Sequence, residues 1–319
     1  MHLLVTGGCG FIGSHFIKNT LDKRPEWKIT NLDKLTYAGR KENLSEIEHD
    51  PRYTFIHGDI CDPATVEKSM KGIDAVINFA AESHVDNSIT DARPFIRTDI
   101  EGAFTLLDSA RKNNVKKFIQ ISTDEVYGQI KEGSFTEQSL LNPRNPYSAS
   151  KAGADRLAYS FHTTYGMDVC ITRSSNNYGT HQFPEKLIPL FTTNLLQGKK
   201  VPVYGTGQNV RDWLHVRDNC DALLLVLEKG KSGEVYNIGG GNEKTNMEIT
   251  RRILSEVGKG DEMIQFVEDR KGHDWRYSLD STKITRELGW RPAIPFDQGL
   301  KQTIQWYTHN ESWWKPLIK

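Results

Sequence analysis

At 319 residues the chain is sized for one large or two modest domains, and it can bury a substantial core without disulfide or metal staples. Lys plus Arg and Asp plus Glu each number 41, so the formal charge is zero. No bulk field then gathers nucleic acid or an anionic membrane, and an anionic ligand must be held by a local site. In chain order, Leu3-Leu4-Val5 predicts a short buried strand running into glycines, and Ile12 to Leu21 a helix. Strands follow at Ile29–Asp33, Tyr53–Ile56, Ala75–Ala80 and Phe118–Ile121, with helical stretches between them. The alternation predicts a parallel α/β sheet, and the nearly continuous apolar runs predict that both its faces are covered. Two helices, about Phe95 to Ala110 and the one following Tyr147, carry apolar residues over more than one narrow stripe. Past Arg173 the texture turns to Pro, Asn and Gly, as in a second, smaller domain. Asp218–Glu228 still reads as a helix and Glu234–Ile238 as a strand that rejoins the sheet, so the domains interleave. A closing helix is expected from Asp297 to about Asn310. The division is residues 1–173 for the dinucleotide, with 210–240 rejoining it, and 174–319 mainly for substrate.

The four cysteines, Cys9, Cys61, Cys170 and Cys220, are far apart with no CxxC, the pattern of reduced thiols in a cytoplasmic protein. No basic segment with a long apolar run precedes the first strand, so no signal peptide is expected. No stretch approaches the length of a membrane span. The histidines show no metal-ligand spacing, and no metal is expected.

Three motifs carry chemistry. Gly7, Gly10 and Gly13 lie between the first strand and the first helix, where the backbone turns tightly and a pyrophosphate meets a helix N-terminus. Asp33 ends the second strand, placed for a ribose diol and against a 2′-phosphate, which favours NAD over NADP. Asp59 and Ile60 follow the third strand and either flank an adenine or form an ordinary turn. Tyr147 and Lys151 sit at i and i+4 on one helix face, a phenol with a cation to lower its pKa. Thr123-Asp124-Glu125 ends the fifth strand, where ligands bind in such sheets. Redox cofactor, Tyr/Lys base and acidic pair together point to a reaction with both hydride and water chemistry. Arg211, and His273, Arg276 and Tyr277 in the second domain, are candidates for a diphosphate clamp; a buried Arg–Asp pair is the simpler reading of Arg211.

These motifs resemble those of the extended short-chain dehydrogenase/reductase superfamily, and within it the dTDP-glucose 4,6-dehydratase family. The resemblance runs nearly end to end: TGGCGFIGS from Thr6, DKLTYAG from Asp33, FAAESHVD from Phe79, STDEVYG from Ser122, YSASKA from Tyr147, SNNYGTHQFPEKLIPL from Ser175, NVRDWLHV from Asn209, YNIGGGNEKTN from Tyr236 and DRKGHDWRYSLD from Asp269. It implies a Rossmann-type doubly wound parallel sheet with a smaller, interleaved C-terminal substrate domain. It also implies NAD against Gly7, Gly10, Phe11, Ile12, Gly13, Asp33, Asp59, Ile60, Ala80, Tyr147 and Lys151. By the same resemblance, Tyr147 takes the C4 hydroxyl proton as hydride leaves, Thr123 holds that oxygen and Lys151 supports the tyrosine. Glu125 then removes the C5 proton while Asp124 protonates the departing C6 hydroxyl, and the hydride returns to C6. Asn176, Glu185, Lys186, Arg211, Asn246, His273 and Tyr277 would hold the nucleotide sugar; Leu187, Pro202 and Tyr204 would line the base pocket, and Ser83 would approach the sugar. The superfamily commonly pairs into homodimers through the two wide-faced helices.

The chain departs from the family pattern at Asp99, where Asn is usual, at Asn87, where Arg is frequent, and at Thr180-His181. The alternatives are a UDP-sugar 4,6-dehydratase, a UDP-sugar 4-epimerase, which lacks the Asp/Glu step, and a non-catalytic protein that binds NAD or a sugar nucleotide.

Overall fold

In the computed structural model, residues 1–318 are described. They form twelve strands: β1 His2–Thr6, β2 Lys28–Asp33, β3 Tyr53–His57, β4 Ala75–Asn78, β5 Lys117–Thr123, β6 Val169–Ser174, β7 Asn176–Tyr178, β8 Val201–Tyr204, β9 Val210–His215, β10 Val235–Ile238, β11 Glu243–Thr245 and β12 Ile264–Val267. Seven make one sheet in the order β10-β6-β5-β4-β1-β2-β3, with every pairing parallel. This is the doubly wound α/β sheet that the apolar runs predict. Alternation along each strand sends successive side chains to opposite faces. Leu3, Val5, Ile77 and Ile119 pack with Phe16 and Ile17 of helix Phe11–Lys23 and with Leu223 and Leu224 of helix Val216–Lys229. Leu4, Val76, Phe118 and Ile171 pack with Leu106, Leu107, Ala158 and Phe161 on the other face. Each such side chain taken from water contributes roughly 1.5–3 kcal/mol.

The strand order reverses between β1 and β4, and ligands bind in the crevice outside the strand ends there. A second core gathers Ile188, Phe191 and Leu195 of helix Leu187–Leu196, Ile249 and Ile253 of helix Asn246–Glu256, and Leu300 and Ile304 of helix Phe296–His309. It carries a three-stranded sheet, β11-β9-β7, and a parallel pair, β12-β8. Thus β9 lies in the small sheet, and the chain returns to the large one only with helix Val216–Lys229 and β10.

Two local features differ from the expected elements. The expected helix from Phe95 to Ala110 is composite: a short turn Arg93–Phe95, a wide π-helical stretch Ile96–Gly102, then α-helix Ala103–Lys112. Such wide turns occur mostly at functional sites. His181, in the left-handed region at φ 62°, packs at a tilt against Trp306 with ring centroids 4.4 Å apart and meets Trp313 edge-on. The Thr180-His181 departure therefore docks the C-terminal helices, and neither residue lines a ligand cavity described below.

Candidate active site

The catalytic helix Pro146–Tyr165 begins on Asn145, whose side chain accepts from Ser148 N at 2.8 Å, with Pro146 at the first helical position. It ends at Gly166, in the left-handed conformation. Its first turns carry Tyr147 and Lys151 to the C-terminal ends of β5 and β6, and Thr123, Asp124 and Glu125 meet them from the end of β5. The Lys151 ammonium is 5% exposed and donates to Ile121 O at 2.7 Å, which leaves two of its three N–H donors for a ligand. Burial, then the charges of Glu125 and Asp99, hold the Tyr147 phenol well above its usual range, against a hydrogen bond with Thr123. The expected lowering of this value by Lys151 is not met, because burial and the neighbouring carboxylates set its direction.

The two carboxyls of the turn are not equivalent. Asp124 is pushed well above the carboxylate range by burial and then by the Glu125 charge. Thr123 Oγ1 donates to its Oδ1 at 3.1 Å, while Oδ2 is buried with no partner. A protonated carboxyl with an unengaged oxygen is suited to give up a proton. Glu125 is raised by burial but held down by the cations of Arg211, Lys186 and Arg270. Asn145 Nδ2 also donates to its Oε2 at 3.5 Å. The environment thus separates an acid from a base between adjacent residues.

Two cavities meet at this turn. The smaller, about 330 Å³, is lined by Gly7, Gly10, Phe11, Ile12, Gly13, Asp33, Asp59, Ile60, Ala80, Ser83, Thr123, Asp124, Glu125, Tyr147 and Lys151. The residues present fit a dinucleotide. Helix Phe11–Lys23 starts on Gly10 with no side-chain cap, so its first N–H groups are left for an anion. A Cβ on Gly7, at φ +68°, would lie 2.6 Å from Ala80 N, and one on Gly13 would lie 2.5 Å from Gly7 O. Only glycine keeps the loop this close to the sheet. Asp33 accepts Cys9 N at 2.8 Å and Leu35 N at 2.7 Å, which fixes its carboxylate at the end of β2. The neighbouring Lys34 is engaged with Asp59 at 2.8 Å, so its charge is already matched.

The larger cavity, about 580 Å³, is lined by Glu125, Asn176, Glu185, Lys186, Leu187, Pro202, Tyr204, Arg211, Asn246, His273 and Tyr277. The predicted substrate residues are therefore in it except Ser83 and Arg276; Ser83 lies in the smaller cavity and accepts Lys186 Nζ at 2.6 Å through its carbonyl. Arg211 is not paired with Asp212, whose carboxylate instead accepts Gly240 N and Asn242 N. The Arg211 guanidinium lies 4.3 Å from the Tyr277 ring centroid and donates to the Asp274 carbonyl at 2.9 Å. His273 contacts Asp269 at 2.7 Å through Nδ1. Arg276 is no clamp residue: it is bound to Glu243 at 2.6 and 2.7 Å and lines neither cavity.

Sequence reasoning missed four residues here. Arg270 lines the larger cavity over the Tyr204 ring, and Asp86 holds it with Nε–Oδ1 at 2.6 Å and Nη2–Oδ2 at 2.9 Å. No local pattern links positions 184 residues apart, although both fall inside quoted motifs. Asn145, beside Glu125, was signalled by Asn before Pro at a helix start. Asn177 lies where the cavities join, with a buried Oδ1 that has no partner. Among the described residues no cluster suits a metal ion, and no helix is long and apolar enough to cross a membrane.

Comparison with known proteins agrees with this geometry. A family model described as GDP-mannose 4,6 dehydratase matches residues 4–303. A dTDP-glucose 4,6-dehydratase from Actinoplanes sp. is 52% identical, over 98% of this chain and 100% of that protein. A crystal structure of a dTDP-glucose 4,6-dehydratase from Streptomyces venezuelae, with NAD and a second ligand bound, is 52% identical over 100% of both chains with a TM-score of 0.98. A UDP-glucose 4-epimerase from Thermotoga maritima, solved with UDP-glucose, covers 98% of this chain and 100% of its own at 31% identity and a TM-score of 0.90. The epimerase shares the frame at 31% identity, whereas the dehydratases share it at 52%. The chain belongs to the family that the GDP-mannose 4,6 dehydratase model describes and, within it, to the dTDP-glucose 4,6-dehydratases.

Proposed function

We propose that this chain is an NAD-dependent dTDP-glucose 4,6-dehydratase, which converts dTDP-glucose to dTDP-4-keto-6-deoxyglucose. The observation that carries the reading is the acid and base of Asp124 and Glu125 beside Tyr147 and Lys151, at the junction of a dinucleotide cavity and a cation-lined one. The glycine loop and Asp33 would hold NAD, which when bound accepts hydride from C4 and later returns it to C6. Tyr147 takes the C4 hydroxyl proton, and the Lys151 ammonium stabilises the phenolate. Thr123 holds the C4 oxygen by turning its hydroxyl from Asp124. The 4-ketone acidifies C5, Glu125 removes that proton, and Asp124 protonates the C6 hydroxyl as it departs; C5 takes a proton back when the hydride reaches C6. Lys186, Arg211 and Arg270 answer the diphosphate charge, and Leu187, Pro202 and Tyr204 flank the base. Deep burial of this turn excludes water while the hydride is stored.

The test is direct. Purified protein is given dTDP-glucose and UDP-glucose in parallel, with no NAD added. The expected result is 4-keto product from dTDP-glucose with extractable NAD(H) in the preparation. Turnover of UDP-glucose alone, a 4-epimer product, or extraction of mainly NADP(H) would overturn the reading.

A homodimer is the proposed assembly. Ile96 and Phe104 on the composite helix are 55% and 49% exposed, and Tyr159 and Tyr165 on the catalytic helix are 39% and 55% exposed. These side chains leave an apolar face on the helix pair that a second copy would cover. Light scattering at micromolar concentration is expected to give about twice the 36.3 kDa of one chain; a monomer mass would refute it. The free thiols of Cys9, Cys61, Cys170 and Cys220 support a reducing, cytoplasmic setting.

A further inference from the structure

The residue behind Lys151 raises a question of proton counting. Asp99 is 3% exposed at the middle of the wide π-helical stretch. That stretch lies tight against the catalytic helix, where a Cβ on Gly153 would fall 2.8 Å from Ile100 Cδ1. Asp99 Oδ1 accepts Glu82 N at 3.0 Å, and Oδ2 is 2.5 Å from Ser150 Oγ. Ser150 Oγ is also 2.8 Å from the carbonyl of Tyr147. A serine hydroxyl has one proton, yet both neighbours are acceptors when Asp99 is ionised. An ionised Asp99 draws that one proton into a charge-assisted bond and shares it with the Tyr147 carbonyl, whereas a protonated Asp99 gives its own proton to Ser150 Oγ and leaves Ser150 free to serve the carbonyl.

On the reading that Tyr147 is the base, we propose that Asp99 is a titratable positioning residue: it shares a proton with Ser150, and its ionisation tunes the proton affinities of Tyr147 and Lys151. Burial pushes the Asp99 carboxyl up to about 6, against the Lys151 charge and the Ser150 hydrogen bond. The charged groups in range are few. Glu82 faces Asp99 from the loop after β4, and Lys151 faces it from the catalytic helix. Asp155 faces Lys151, and Glu125 and Asp124 face Tyr147 from the end of β5. An ionised Asp99 strengthens the hold of Lys151 on its proton and raises the phenol. A neutral Asp99 releases both. The Asp99→Asn variant keeps the shape and the two hydrogen bonds but has no charge to gain.

Two measurements on the purified protein with its copurified cofactor test this. Infrared spectra taken from about pH 5 to about pH 8 are compared between wild type and Asp99→Asn. A protonated-carboxyl C=O band is expected in wild type at the acid end, lost with a midpoint near 6 and missing from the variant. In Ser150→Ala that midpoint is expected to rise, because Ser150 bonds the ionised carboxylate more strongly than the neutral acid and that preference is gone. The second measurement is the pH profile of single-turnover C4 oxidation of dTDP-glucose. Both limbs are expected to move to lower pH in Asp99→Asn, by about half to one unit. The infrared arm needs no turnover, so it stands even if the substrate assignment fails. Absence of the band, a Ser150→Ala midpoint that does not rise, or profiles that superimpose or move upward would overturn the role of Asp99.

Discussion

Glu125→Gln is expected to let hydride leave C4 and then stall. The amide keeps the shape of the glutamate but cannot accept the C5 proton. Reduced nicotinamide should accumulate in a single turnover with dTDP-glucose, and deuterium incorporation at C5 from solvent should fall. Tyr147→Phe is expected to block earlier, with little reduced nicotinamide formed, because the C4 hydroxyl has lost its base. A general acid or base contributes about 10²–10⁴-fold, so either loss is readily measured. The structure sharpens the contrast, since Glu125 is the carboxylate surrounded by Arg211, Lys186 and Arg270, whereas its neighbour Asp124 is driven towards the protonated form. If Glu125→Gln turns over at the wild-type rate with normal deuterium exchange, the Asp/Glu pair is only an acidic turn and the dehydration step assigned to it is wrong.

The second large effect is on stability. Arg173 on β6 and Asp155 on the catalytic helix are 2% and 0% exposed in their side chains and make two hydrogen bonds, at 2.8 and 3.0 Å. Arg173 also donates to Tyr127 O–H at 2.7 Å, and Tyr127 donates to Asn237 of β10 at 2.8 Å. Asp155→Ala leaves a buried guanidinium with no countercharge, and a loss of about 3–5 kcal/mol is expected in urea unfolding. Joint replacement, Asp155→Leu with Arg173→Met, is expected to recover most of it, since an apolar pair of similar volume needs no desolvation. A loss in the double variant equal to the sum of the losses from replacing each residue alone would show that the pair is not coupled. The pH dependence has a definite sign. Burial raises Asp155, but Arg173 and Arg156 outweigh it and the folded-state value is lowered. Its contribution is therefore complete above the unfolded carboxylate range and is lost as pH falls through the lower folded value.

How much of this was legible in the sequence depended on how local the cause was. The buried strands could be read because each is a short apolar run closed by glycine or a polar turn; Leu3-Leu4-Val5 running into Gly7 is the clearest. The helix at Val216–Lys229 was placed within two residues of its ends, because Leu223, Leu224, Val226 and Leu227 repeat on one face. The composite helix at Ile96–Gly102 was read as one regular helix, since its side chains keep a helical pattern while the backbone widens. The substrate cavity was legible through motifs, but the Asp86–Arg270 pair was not, because its cause is the meeting of two distant segments. Arg276 illustrates the opposite error: it sits in the same motif as His273, yet Glu243 on β11 draws it away from the cavity.

The late return of the chain to the large sheet has a consequence for synthesis. Phe16 and Ile17 are covered by Leu223 and Leu224, and one edge of β6 is completed by β10. At about 5–20 residues per second, a ribosome needs roughly 10–40 s to go from Ile17 to Leu223 and roughly 3–12 s to go from β6 to β10. For those times the nascent chain presents an uncovered helix face and an open strand edge, the two features that invite misassociation. A translation product ending near residue 173 carries both permanently. The glycine loop, though encoded first, gains its finished support only when most of the chain has emerged.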